Sequence, residues 1–310
     1  MMKYLYSLLF CSLTLYGVES LTTQNIEKVN AATLNTLLIF TSQEGLSSGL
    51  YHFTNTAVDV DMKVYHLPFT YHFKSDENIN YFMVGNVGYS QTYLAGAIQE
   101  LPAGSLLNYD SSIQTFTAGI GGGARYKITK EFCISGGIEF IYSRVGLSVV
   151  LPENDLGDKI EDFFNNNYSS NLTYKFFALA EYRPKIHEFK PYITLAYKLF
   201  ETKSTVTFDE LVKFDSQSNI TTLNIGVESP KIYENGSDNI TLESYINTNY
   251  LGGTVKDVVN FSWYQSFGVV SYYNTPLKPN WASRFFLELN TIRSGGLEGY
   301  NIGVGFTLDF

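Results

Sequence analysis

The last residues of the chain alternate without a break: Tyr300, Ile302, Val304, Phe306, Leu308 and Phe310 are apolar, while Asn301, Gly303, Gly305, Thr307 and Asp309 are polar or glycine. Side chains on a β-strand point to opposite faces in turn, so this spacing predicts a strand with one wholly apolar face. The pattern recurs upstream. Phe132, Ile134, Ile138, Phe140 and Tyr142 oppose Cys133, Ser135, Gly137, Glu139 and Ser143. Leu172, Tyr174, Phe176, Ala178, Ala180 and Tyr182 oppose Thr173, Lys175, Glu181 and Arg183, and Ile193, Leu195, Tyr197 and Leu199 oppose Thr194, Ala196 and Lys198. Alternation and turn residues together place twelve strands, near residues 48–55, 59–73, 79–92, 113–128, 131–150, 171–184, 189–206, 218–228, 238–248, 259–274, 281–293 and 299–310. Alternation fades over 206–258, where Asp209, Glu210, Asp215, Glu228, Glu234, Asp238 and Glu243 crowd in; if that stretch is one external loop, the count is ten. The connections sort by parity: 74–78, 129–130, 184–188 and 275–280 are short, whereas 94–112, 151–170 and 206–217 are long. Short turns on one rim and long loops on the other are the asymmetry of bacterial membrane-spanning barrels, and they put both ends of the barrel on the short-turn rim.

Two segments precede the strands. Lys3, the apolar run Leu5, Leu8, Leu9, Phe10, Leu13 and Leu15, and Val18-Glu19-Ser20 predict a signal peptide over 1–20, too short and too interrupted for a spanning helix. From Gln24 to Phe40, Ile26, Val29, Leu34, Leu37 and Leu38 recur at steps near three and four between Asn25, Glu27, Lys28, Asn30 and Asn35, which predicts an amphipathic helix. The division is therefore signal 1–20, helix and connection 21–46, and barrel 47–310. A twelve-stranded lumen is too wide for its own side chains to fill, so the helix is expected in or near it.

Composition narrows the class. Charged residues make up 16% of the 310 residues, against roughly 25% in soluble domains, while aromatics also reach 16%, with 24 Tyr and 23 Phe. So many rings with so few charges suit a lipid-facing wall better than a soluble core. Mean hydropathy of −0.05 speaks against a helical membrane bundle. The net charge of −9, unchanged when Lys3 and Glu19 leave with the signal, and the lack of a Lys/Arg cluster exclude nucleic acid as a partner. Loss of Cys11 leaves Cys133 alone, so no intrachain disulfide forms in the exported chain.

The terminal strand Tyr300, Ile302, Val304, Phe306, Leu308 and Phe310 resembles the assembly signal that the outer-membrane insertion machinery reads. With the preceding helix, about twelve strands and the run Leu67-Pro68-Phe69-Thr70-Tyr71-His72-Phe73, the chain resembles the solitary autotransporter-type barrels over nearly all of its mature length. The resemblance implies an outer-membrane location, membrane lipids and the insertion machinery as partners, and no cofactor. Between the expected signal and Thr41 lie only residues 21–40, where a conventional member carries a long secreted passenger.

Candidate chemistry is sparse. A serine hydrolase needs a His beside its nucleophile, and the four His are His52, His66, His72 and His187. His52-Phe53-Thr54-Asn55 approaches a phospholipase-like His-x-Ser-Asn signature, but with Thr54 where Ser is needed. His66 and His72 flank Pro68 and share a face, without the carboxylates of a metal site, and His187 falls in a turn. Gly119-Ile120-Gly121-Gly122-Gly123 runs on into Ala124, Tyr126 and Ile128 as a strand, so it reads as close packing and not as a phosphate loop. Arg125, Lys127, Glu139, Lys175, Glu181, Arg183, Lys198, Arg284 and Glu288 are expected to face the lumen and pair across it. The expectation is thus an all-β transmembrane barrel without catalytic, cofactor or metal residues, serving surface interaction or limited solute passage. A lipid hydrolase (phospholipase or lipid A deacylase) and a general porin are the alternatives.

Overall fold

The computed structural model describes residue 34 and residues 46–53, 60–73, 78–99, 106–150, 168–206, 215–259, 261–275 and 284–307. The expected signal peptide, the expected helix apart from Leu34, and Leu308 to Phe310 lie outside them. Thirteen strands follow in order: β1 (Leu46–Phe53), β2 (Val60–His72), β3 (Ile79–Gln99), β4 (Leu106–Lys127), β5 (Phe132–Val150), β6 (Tyr168–Tyr182), β7 (Lys190–Val206), β8 (Asp215–Glu228), β9 (Tyr233–Asn235), β10 (Asp238–Gly253), β11 (Trp263–Asn274), β12 (Arg284–Arg293) and β13 (Leu297–Thr307). One short helix, α1 (Thr254–Val259), joins β10 to β11.

Each strand pairs antiparallel with its neighbour, β8 pairs with β10, and β13 returns to pair with β1, from Leu46 opposite Val304 to Phe53 opposite Leu297. Twelve strands thereby close into a barrel, and β9 forms only a small hairpin on the start of β10. Closure leaves no free edge around the ring, which is what a strand-built wall needs in lipid, where no water can satisfy an open ladder. No described helix is long and apolar enough to cross a membrane. An even number of antiparallel strands puts the start of β1 and the end of β13 on one rim, here the turn side; the opposite rim is the loop side.

Alternation decides what each face meets. Leu67, Phe69, Ile120, Phe140, Leu195, Ile225, Phe267, Leu289 and Ile302 all stand exposed on the outer wall. An apolar surface of this extent around a closed barrel is a lipid contact, not a solvent contact. The inner positions carry glycine where the wall is crowded. At Gly121 a Cβ would lie 2.6 Å from Cα of Glu139, and at Gly137 it would lie 2.6 Å from the ring of Phe177. The strand reading of the glycine run therefore holds, and the missing side chains let rings and backbones approach the wall.

One expectation changes, one alternative falls away and one element is new. Residues 94–112 are not a long loop, because β3 and β4 continue as a two-stranded ribbon to Gln99 and from Leu106. Beyond Leu94, β3 has no partner in β2, so the ribbon rises above its neighbours with only its own ladder. The stretch 206–258 is not one external loop, since β8 and β10 run through it and pair from Glu228 opposite Glu243 to Ser218 opposite Gly253. That settles the count at twelve, not ten. The new element is α1, which the pattern did not announce; Gly253, at φ +72°, turns the chain into it where the carbonyl oxygen of Gln217 is too close for any Cβ.

Candidate functional site: the lumen

Near the turn-side rim the lumen is built from charge. Arg125 on β4 places Nη2 2.7 Å from Oε1 of Glu181 and donates from Nε to Sγ of Cys133 at 3.1 Å. Glu228, at the end of β8, collects cations from three elements: Lys190 at 2.9 Å, Arg284 at 3.1 Å and Arg183 at 4.0 Å. Arg183 also lies 3.6 Å from Glu181, so the network runs from β4 to β12. The two arginines rest on rings, Arg183 at 4.4 Å from the Tyr192 centroid and Arg284 at 3.5 Å from that of Tyr272. Glu243, directly opposite Glu228 on β10, accepts from the hydroxyls of Tyr192 at 2.6 Å and Tyr272 at 3.3 Å, and Tyr245 donates to Glu288. Two carboxylates side by side in a ladder repel each other, and the surrounding cations and phenols offset that repulsion.

At mid-depth one ion pair is almost fully enclosed. Glu139 is 2% exposed, with Nζ of Lys175 2.7 Å from one oxygen and the amide of Asn86 donating to the other. Gly119 makes room for this clasp, since a Cβ there would lie 2.7 Å from both Asn86 Nδ2 and Glu139 Oε1. Beside it, on β2 to β5, His66, Ser90, Thr115, Thr117 and Ser143 are buried, and their side chains find no hydrogen-bond partner among the described residues.

Toward the loop side the lumenal face turns apolar. Tyr51, Phe53, Met62, Val64, Ile113, Ile141, Val145, Phe200, Ile220, Leu251, Tyr264, Ile292 and Leu297 form one buried cluster with Val255 and Val259 of α1. The backbone N–H of Val255 donates to Oγ of Ser218 at 3.1 Å and ties α1 to the wall. Leu34 belongs to this cluster, helical and fully buried.

Of the charges read from sequence, the structure joins Arg125, Glu181, Arg183 and Arg284 in one network, Glu139 with Lys175 in another, and Glu288 with Tyr245. Lys198 lies half-buried on the lumenal face of β7, and Lys127 is exposed at the turn-side rim. The sequence reading missed Glu228, Glu243 and Lys190, although the parity of Leu223 and Ile225, both exposed, would have turned Glu228 inward. His66 faces the lumen and His72 the turn-side rim, where it is exposed. His52 is held at the loop-side rim by Asp61, 2.7 Å away, while Thr54 and Asn55 lie outside the described residues. His187 sits in the β6–β7 turn at φ +56°. Among the described residues no group of acidic, His and Cys side chains could hold a metal ion. In the terminal strand Tyr300, Ile302 and Val304 are exposed on the outer wall; Phe306 is a strand residue, and Leu308 and Phe310 lie outside the described residues.

No protein-family model and no curated protein matches this sequence. Solved structures do. The translocator domain of the autotransporter NalP from Neisseria meningitidis is 10% identical, at a TM-score of 0.55 over 91% of this chain and 98% of that one. The β domain of the Bordetella autotransporter BrkA is 8% identical, at 0.53 over 85% and 98%. The transport unit of AIDA-I from Escherichia coli is 7% identical, at 0.53 over 92% and 99%. At these identities the likeness is one of fold: the chain has the architecture of bacterial outer-membrane barrels, similar to autotransporter translocator domains.

Proposed function

We propose that the chain is a non-catalytic outer-membrane barrel, translocator-like in form, that serves surface interaction or limited passage of solute. The observation that carries this reading is the apolar cluster from Tyr51 to Leu297, which includes Leu34 and lines the loop-side half of the lumen. The segment 24–40 that bears Leu34 would occupy the lumen, where Asn25, Lys28, Asn30 and Asn35 would meet the unpartnered wall of His66, Ser90, Thr115, Thr117 and Ser143. Such a barrel should conduct little in planar bilayers, and a large open conductance of the intact protein would favour a general porin instead. Purified protein should hydrolyse phospholipid or lipid A at background; activity that vanishes in His52→Ala would favour the hydrolase. In purified outer membranes the folded barrel should migrate differently before and after boiling, whereas release by osmotic shock with no such shift would remove the membrane assignment.

A further inference from the structure

On the outer wall of β2 to β6 the apolar band gives way, close to the loop-side rim, to a row of another kind. Register aligns Lys63 with Gln91, Gln91 with Gln114, Gln114 with Gly146, and Gly146 with Tyr168. One step toward the turn side come Tyr65, Tyr89, Phe116 and Arg144, and one further step Leu67, Val87, Ala118 and Tyr142. Going down the wall on β2 to β4, the surface passes from a cation and amides through aromatic rings to aliphatic side chains, while on β5 Arg144 stands at the level of the rings. This is the order of a headgroup region, an aromatic girdle and a hydrocarbon core.

The two cations here, Lys63 in the first row and Arg144 in the second, lack the partner that seven other described cations have. Arg125, Lys175, Arg183, Lys190, Lys231, Arg284 and Arg293 each have a carboxylate within ion-pair distance, whereas Lys63 and Arg144 have none among the described residues. Asp61, the nearest acid along β2, is engaged by His52 at 2.7 Å. Both cations instead rest on tyrosine rings, Lys63 at 5.1 Å from the Tyr93 centroid and Arg144 at 3.3 Å from that of Tyr168. A ring under a guanidinium fixes its plane and leaves the edge N–H groups free to bind an oxyanion. Lys63 and Arg144 are three strands apart, about 14 Å across the strands, and one row of about 7 Å along them, with the amides of Gln91 and Gln114 between. A cation facing outward just above a lipid-contacting band needs an anion at headgroup height, and charge complementarity names its class.

We propose that this sector binds the phosphate-bearing headgroup of an anionic lipid in the outer leaflet, through Lys63 and Arg144 with Gln91 and Gln114 as neutral donors. The inference rests on the barrel lying in the outer membrane with its loop side outward. The ammonium and guanidinium take the phosphate oxygens, and the acyl chains lie down the wall over Leu67, Val87 and Ile120.

The test uses the mature protein, folded in phosphatidylcholine vesicles and extracted in zwitterionic detergent, with bis-phosphorylated lipid A as probe. By native mass spectrometry the wild-type chain should retain at least tenfold more lipid A than a Lys63→Gln/Arg144→Gln variant. Arg293→Gln, whose arginine already pairs with Glu298, should retain as much as wild type. Dephosphorylated lipid A should be lost equally by all three proteins, and inorganic phosphate should not displace the bound lipid. Equal retention by wild type and the double variant overturns the proposal, as does equal retention of the dephosphorylated lipid, which would make the contact one of hydrocarbon alone. Displacement by inorganic phosphate overturns the lipid as ligand. Both variants change only exposed side chains, and a boiling-dependent gel shift reports their folding. Absence of that shift in the wild-type chain itself would instead defeat the membrane assignment, separately from the lipid comparison.

Discussion

The two halves of the lumen are built on the same strands yet hold together by different physics. On the turn side, Glu181 and Glu228 draw Arg125, Arg183, Lys190 and Arg284 inward, and tyrosine rings support the guanidinium planes. On the loop side, inward positions of those strands carry Ile141, Phe200, Ile220 and Leu251, and α1 and Leu34 complete an apolar filling. A charged layer stays stable only while every member is paired, and it tolerates water. An apolar filling needs volume and no partner, and it excludes water. The loop-side half is therefore the one suited to exclude water, and the turn-side half the one that depends on charge pairing.

The comparison breaks most visibly if the loop-side filling is emptied. Removing residues 21–40, and Leu34 with them, should turn a barrel of low conductance into one that conducts clearly more in planar bilayers. Equal conductance of the two proteins would place that segment outside the lumen and leave the wall and α1 as the whole closure. A smaller excision tests the same half by stability. Phe200 is almost completely buried, and Phe200→Ala should cost about 3–5 kcal/mol through lost burial and the cavity left behind, read as a lower midpoint in urea unfolding from vesicles. An unchanged midpoint would mean that the cluster is loosely packed.

The enclosed ion pair gives the corresponding test at the boundary of the polar half. Lys175→Met leaves Glu139 buried without its cation and should destabilise by about 3–5 kcal/mol. Changing both partners together, Glu139→Gln with Lys175→Met, should recover most of the loss, because a neutral pair demands no compensating charge. If the double variant is as unstable as the single one, side-chain packing and not charge holds that layer.

How much of this was legible depends on which face a residue occupies. The outer wall was, because in β13 and β7 lipid contact demands an apolar residue at every second position and the pattern survives along the strand. The lumenal face obeys no single demand. In β1, Tyr51 and Phe53 point inward while Leu50 points outward between Ser48 and His52, so large apolar residues fall on both faces and the period disappears. In β2 near the loop side, Met62 and Val64 are inward and Lys63 is outward, which inverts the expected sense. In β8 and β10, Ser, Thr and Asn occupy both faces, so the strands placed near 218–228 and 238–248 rest on a faded alternation, and pairing with β7 and β11 decides for them against a loop. Glu228 and Glu243 were hidden for the same reason, among acids that look like a loop until register sets them side by side. The helix α1 has six residues, too few for a helical period to emerge.

The smallest expected effect sharpens the contrast from outside the lumen. Arg293 and Glu298 also form an ion pair across two strands, β12 and β13, with Nε 3.6 Å from Oε1. Their side chains are 81% and 64% exposed, against 12% and 2% for Lys175 and Glu139. Water and salt screen a pair so open, and the entropy of holding two long side chains offsets much of what attraction remains. Arg293→Gln should therefore shift the unfolding midpoint by less than about 0.5 kcal/mol, and raising the salt should remove even that. The Glu139–Lys175 pair, sealed from solvent, should keep its effect at high salt. A loss at Arg293 comparable to that at Lys175 would mean that position along the barrel, and not enclosure, sets the worth of an ion pair in this molecule.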